Sequence, residues 1–198
     1  MIPNILTGLR IILTPAFIIC LFYEAPWAKP MALGIFIVAS VTDAWDGHLA
    51  RKKKQITRAG TFLDPLADKI LVSSAFISFA IMGKVPYWMA ALIIFRDLFV
   101  TGLRMLFVSR GVSLVTSRIA KLKTSAQIVA IVFILSHMTL ETLKLVGAGA
   151  IIRFVESVHL IYYAVFFVTV FTVYTGLSYL YANRSVIWVF LKSQRDLR

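Results

Sequence analysis

Six stretches of this sequence are apolar for about as long as a bilayer crossing requires, and they constrain its fold more than any other feature. A spanning helix needs about 20 predominantly apolar residues, because it rises about 1.5 Å per residue through a hydrocarbon core about 30 Å thick. The stretches lie near 9–23, 31–50, 61–82, 86–108, 119–140 and 158–182. Apolar residues make up 60% of the 198, against about 45–50% in soluble domains. That content also excludes a disordered or collagen-like chain. The single Cys20 cannot form an internal disulfide. The expectation is an all-α integral membrane protein with six transmembrane helices, one domain over residues 1–198. Within it, 1–8 form an interfacial lead-in and 183–198 (NRSVIWVFLKSQRDLR) a cytoplasmic or interfacial tail. The short Gly-bearing segment 145–157, with Arg153 and Glu156 following its apolar part, reads as re-entrant or interfacial.

The net charge of +12 sits oddly on such a chain until the basic residues are sorted by connection. Arg10, Arg51, Lys52, Lys53, Lys54, Arg58, Arg110, Arg118, Lys121, Lys123, Arg184, Lys192, Arg195 and Arg198 fall on one side. Only Lys29, Lys84, Lys144 and Arg153 fall on the other. Lys and Arg concentrate in cytoplasmic loops, so fourteen against four puts both termini in the cytoplasm of a multi-pass cell (inner) membrane protein. This accounts for the basic excess without a nucleic-acid partner. Arg10 ahead of an apolar run resembles a signal peptide, but Ala25-Pro26-Trp27-Ala28 is a poor cleavage site, so the first segment is expected to be retained.

Carboxylates are scarce, nine in all, and four of them fall between residues 43 and 68. Each costs about 2.5–3.5 kcal/mol at the centre of a membrane helix. Asp43, Asp46, Gly47 and Ala50 recur at i, i+3, i+4 and i+7, and Gly60, Asp64 and Asp68 at i, i+4 and i+8. At about 100° per residue each set occupies one helix face. The connection from Arg51 to Ala59 is short enough to make the two helices antiparallel neighbours, so both faces can meet at the cytoplasmic end. Four like charges there need cations, and hard oxygen ligands without a nearby His or Cys select Mg²⁺ or Mn²⁺. His48 faces away from Asp43 and Asp46. Four carboxylates suffice for two metals, an arrangement suited to phosphoryl chemistry. The bland alternatives are an N-cap at Asp64 before Pro65 and ion pairs of Asp68 with Lys69 or Asp43 with Arg51. They account for one acid at a time, not for four on two stripes flanked by small residues.

The string Asp43-x-x-Asp46-Gly47-x-x-Ala50-Arg51, eight residues, then Gly60-x-x-x-Asp64-x-x-x-Asp68 resembles the complete signature of the CDP-alcohol phosphatidyltransferases. The resemblance implies a six-helix homodimer with a polar cavity open to the cytoplasm. It also implies two divalent metals held by Asp43, Asp46, Asp64 and Asp68, with Asp68 doubling as general base. A cytidine nucleotide would sit near Asn4, Thr7, Asp46, Gly47, Arg51 and Gly60. Arg51 read alone fits equally well as a positive-inside anchor.

The acceptor is chosen elsewhere. Arg96 and Arg104 lie on one predicted span, about 80° apart in projection, and a buried arginine must find an anion. Asp97 is adjacent to Arg96, and neighbouring helical residues point apart, so a bound phosphate is the expected partner. Arg118, Lys121 and Lys123 cluster before the fifth span, where Arg118 and Lys123 also fit a positive-inside loop. These five residues form the candidate acceptor-phosphate site. The flanking text, Ile2 to Thr7, Arg96 to Arg104, and Ala120 to Thr124 with Gln127, is similar to the branch of the family whose acceptor is glycerol 3-phosphate. Asp97, Ala120 and Ala59 depart from that branch's usual Glu, Gly and aromatic residue. The resemblance therefore implies phosphatidyl transfer from CDP-diacylglycerol to sn-glycerol 3-phosphate, giving phosphatidylglycerophosphate and CMP. An inositol-phosphate or serine acceptor is the nearest rival. An intramembrane prenyltransferase and a small cation transporter are rivals of other classes.

Overall fold

A computed structural model describes residues 2–53, 58–110, 119–144 and 147–188, with side chains described for 10–42, 69–110, 122–144 and 147–188. Among the described residues there are seven helices and no strand. They are α1 (Ile2–Phe22), α2 (Ala28–Lys53), α3 (Arg58–Ile81), α4 (Tyr87–Ser109), α5 (Ile119–Leu143), α6 (Ala148–Ser157) and α7 (Leu160–Ala182). Each of the six apolar stretches becomes one long helix. The lead-in is helical too, because α1 begins at Ile2 with Pro3 in its first turn, where a missing N–H costs nothing. Segment 145–157 yields α6, ten residues long, or about 15 Å of helix, half of what a crossing needs. The tail starts with a further helical stretch over 184–188.

The long helices close into a ring in the order α1, α2, α5, α7, α4, α3, with α3 and α5 also touching across it. Along their described lengths α2 and α3 both pack against α1. The ends at which their two acidic faces are expected to meet lie, in their side chains, outside the described residues.

The apolar core fills one end of this ring. It comprises Phe17 and Leu21 of α1, Ala32 and Phe36 of α2, Phe76 and Phe79 of α3, Met89 and Ile93 of α4, Ile131, Ile134 and Leu135 of α5, and Val165 and Val168 of α7. These come from the late turns of α1, α3 and α5 and the early turns of α2, α4 and α7, so alternating helix direction collects them at a single end. Ala28, Ala32 and Ala39 keep the buried face of α2 thin, which suits close helix packing where dispersion rather than water drives association. The polar buried residues Asp97, Lys123, Gln127, Thr172 and Thr175 lie toward the other end.

The outer surface is apolar. Ile12, Ile19, Phe95, Val129, Phe167, Tyr174 and Leu177 are exposed while the polar residues just named are buried, a distribution that suits lipid surroundings. The stretches Leu122–Leu143 and Leu160–Ala182 are long and apolar enough to cross a membrane. The apolar portions Arg10–Phe22, Ala28–Thr42 and Lys69–Ile81 are shorter.

The core end is fastened by turn chemistry. Gly83, at φ +69°, ends α3 in the left-handed region. Its N–H donates to Ala80 O at 3.0 Å and the Lys84 N–H to Phe79 O at 2.9 Å, the paired bonds of a Schellman cap. Pro86 then precedes α4. Lys84 Nζ donates to both carboxylate oxygens of Glu141, at 3.0 and 2.9 Å, tying this turn to the end of α5. At the neighbouring turn Lys29 Nζ donates to the carbonyls of Leu21 and Tyr23, closing the end of α1. Gly83→Ala should lower the free energy of unfolding by about 1–2 kcal/mol, since a Cβ is disfavoured at positive φ. Gly34→Ala on α2, where a Cβ meets nothing within 4 Å, should be neutral or stabilising by up to about 1 kcal/mol. Unfolding midpoints of the two variants in one detergent check the contrast.

Candidate functional site

The polar end of the ring is organised around Asp97, a carboxylate only 3% exposed. Its Oδ1 accepts from Lys123 Nζ of α5 and from Arg96 Nη1 at 3.2 Å. Its Oδ2 accepts from Gln127 Nε2 at 3.2 Å. Lys123 and Gln127 are one turn apart on α5, so both present to the same partner. The helix α7 completes the group. Thr175 Oγ1 accepts from Arg96 Nη2 at 3.1 Å, and Thr172 Oγ1 lies 3.5 Å from Gln127 Nε2.

Sequence spacing misleads at Arg96 and Asp97. Adjacent helical residues do point apart at Cβ, yet the arginine side chain is long enough to bring its fork back to its neighbour's carboxylate. The inference that Arg96 has no protein anion is corrected accordingly. Lys123 is also committed within the protein, 2% exposed and bonded to Asp97. Even so, two cations share one carboxylate. Arg96 uses two of the five N–H donors of a guanidinium in the bonds above, and its Nε has no hydrogen-bond partner. Gln127 Oε1 and Tyr179 Oη are likewise buried without one. Buried polar groups left this way are uncommon, and among the described residues they stand near two cations that share one carboxylate.

More basic residues border it. Lys69 of α3 is within electrostatic reach of Lys123, and Arg104 of α4 is within reach of Tyr179. Lys69 stands midway along α3, so the middle of α3 comes near the first turns of α5 here. Arg10, counted from sequence among the loop cations, lies within α1 and is 7% exposed.

The sequence model of the CDP-alcohol phosphatidyltransferase family matches residues 1–171. This chain belongs to that family. Among curated relatives, a CDP-diacylglycerol–glycerol-3-phosphate 3-phosphatidyltransferase of Cereibacter sphaeroides is 41% identical over 147 residues, 72% of this chain and 66% of that protein. A probable phosphatidylglycerophosphate synthase of Mycobacterium tuberculosis is 44% identical over 133 residues, 66% of this chain and 63% of the relative. The Bacillus subtilis CDP-diacylglycerol–glycerol-3-phosphate 3-phosphatidyltransferase is 40% identical over 148 residues, 69% and 77%. The match thus spans just under two thirds of the first two relatives.

Enzymes of the CDP-alcohol phosphatidyltransferase family are generally dependent on a divalent metal. The backbone suits such a site. Helix α2 continues through Lys53 and α3 starts at Arg58, so Asp43 and Asp46 stand on the last turns of one helix and Asp64 and Asp68 on the first turns of the other. This regular spacing of hard oxygen donors fits a divalent cation. The side chains of Asn4, Thr7, Asp43, Asp46, Gly47, Arg51, Gly60, Asp64, Asp68 and Lys121, and the whole of Arg118, lie outside the described residues. Among those that are described, His137, Glu141 and Glu156 have ligand atoms within 4.8 Å of one another. His137 and Glu141 stand near the core end, far along α5 from Lys123, with Glu156 on α6, and Lys84 already supplies Glu141 with a cation.

Sequence reasoning passed over α7, whose Thr172, Thr175, Gly176 and Tyr179 are all buried on the network side. The signal was present: Thr169, Thr172 and Thr175 recur every third residue on a helix otherwise aliphatic and aromatic but for Gly176 and Ser178.

Removing the carboxylate should expose how much rests on it. Asp97→Asn leaves Arg96 and Lys123 without an anion and is expected to cost about 3–5 kcal/mol, the usual penalty for breaking a buried pair. Lys84→Met breaks a bridge whose side chains are 32% and 27% exposed, and should cost about 1 kcal/mol or less. Chemical unfolding of both variants in one detergent provides the comparison.

Proposed function

We propose that this chain transfers a phosphatidyl group from CDP-diacylglycerol to the 1-hydroxyl of sn-glycerol 3-phosphate, giving phosphatidylglycerophosphate and CMP. The observation that carries the acceptor is the surplus charge beside Asp97. Two buried cations sharing one carboxylate suit a phosphorylated alcohol better than a neutral one such as serine. The relatives named above carry the same activity in their names.

In this reading Arg96 and Arg104 bind the acceptor phosphate, with Lys121 and Arg118 at the cytoplasmic rim. Lys123 contributes field rather than direct contact, since its ammonium is bonded to Asp97. Asn4, Thr7, Gly47, Arg51 and Gly60 seat the cytidine nucleotide. Asp43, Asp46, Asp64 and Asp68 would hold two Mg²⁺ or Mn²⁺ ions, which when bound supply Lewis-acid stabilisation of the pyrophosphate charge. Asp68 takes the proton from the acceptor hydroxyl. That oxygen bonds to the phosphorus carrying diacylglycerol, and the phosphorus–oxygen bond to CMP breaks. Arg51 steadies the charge on the departing nucleotide.

The same reading makes the chain a six-span protein of the cell membrane, with cavity and termini on the cytoplasmic side, working as a homodimer among lipids. Lys and Arg counts support the orientation: with Arg10 and Lys123 set aside as buried, twelve against four remain.

Purified enzyme with Mg²⁺ should release CMP from CDP-diacylglycerol only when an acceptor is present, and fastest with glycerol 3-phosphate in a panel including serine and inositol phosphate. Preference for serine would overturn the acceptor reading. Asp68→Asn should slow release at least about 100-fold. An unchanged rate removes Asp68 as the base.

A further inference from the structure

We infer that Gly176 is a positioning residue for the acceptor phosphate, leaving the space through which Arg96 reaches the site. The inference rests on the acceptor reading above. Helices α4 and α7 are neighbours in the ring, and the Arg96 side chain crosses α7 at Gly176. A Cβ at position 176 would lie 2.9 Å from Arg96 Cγ, 3.0 Å from Nε and 3.5 Å from Cδ. The first contact decides the matter. Cγ is near the root of the side chain, so Arg96 cannot relieve it by bending its tip. Only a change of χ1 moves Cγ, and staggered wells make that a jump rather than a drift. Such a jump takes the fork away from both Asp97 Oδ1 and Thr175 Oγ1.

Backbone conformation gives no other reason for the glycine. Gly176 lies inside α7 and has no positive φ. At such a position Ala would normally stabilise the helix. The missing side chain therefore serves a close approach, and what approaches is Arg96. The neighbouring Thr175 serves the same end. Its hydroxyl donates to Thr172 O at 2.9 Å, which fixes the oxygen and leaves it as acceptor for Arg96 Nη2. Glycine and threonine together aim the guanidinium, with donors left for a phosphate.

The test is kinetic. Gly176→Ala should raise KM for glycerol 3-phosphate about tenfold, the scale of one hydrogen bond to a charged group, while KM for CDP-diacylglycerol changes less than about twofold. Gly34→Ala, a helical glycine with open space around it, should change neither. In an Arg96→Ala background, Gly176→Ala should have no further effect on KM for glycerol 3-phosphate, because residues acting through one another are not additive. Unchanged KM in the single variant, or full additivity in the pair, overturns the inference. Should Gly176→Ala not fold, Thr175→Val asks the same question. It removes one acceptor of Arg96 and should raise the same KM about threefold or more, and no change again overturns the inference. A wild-type enzyme that turns over another alcohol and ignores glycerol 3-phosphate overturns the acceptor reading as well, which separates the two failures.

Discussion

A single buried carboxylate sets the terms for the polar half of this molecule. Asp97 joins side chains from α4 and α5, and through Arg96 and Gln127 it draws in α7. In a low-dielectric slab an unpaired ammonium or guanidinium is costly, so Lys123 and Arg96 are held wherever their shared anion is. One negative charge between two positive ones leaves the region attractive to a further anion. The structural requirement and the proposed preference for a phosphorylated acceptor thus rest on the same imbalance.

The ring of helices gives that imbalance a direction. Phe76, Phe79, Met89, Ile131 and Leu135 fill one end with close-packed apolar side chains, leaving the other to polar groups. The regularly spaced aspartates of α2 and α3 stand on helix turns toward that polar end. On the flank, α4 and α7 present Phe95, Phe99 and Leu177 to the surroundings.

Much of the fold was legible because apolar runs of membrane length have few alternatives, and all six became helices. The ring order was not legible, since the connection from Arg51 to Ala59 says how far apart two helix ends are and nothing about α1 packing against both helices. The motif that identifies the family was written plainly in residues 43–68, because four carboxylates at helical spacing are hard to explain otherwise. The acceptor region was half written. Arg96, Arg104 and Lys123 stood out as charges, but the reach of an arginine around its own helix to Asp97 does not follow from Cβ directions. Thr172, Thr175 and Gly176 escaped notice because small and weakly polar residues hardly disturb the hydropathy of α7.

One consequence follows from the two lysine bridges. Lys123 fastens α5 to the middle of α4, and Glu141 fastens the far end of α5 to Lys84, just ahead of α4. Two attachments separated along a common axis resist both sliding and tilting, much as two bolts hold a beam that one would let swing. Helices α4 and α5, separated in the ring by α7, are thus tied at two levels. Movement between them carries the cost of a buried ion pair at one level and of a half-exposed one at the other.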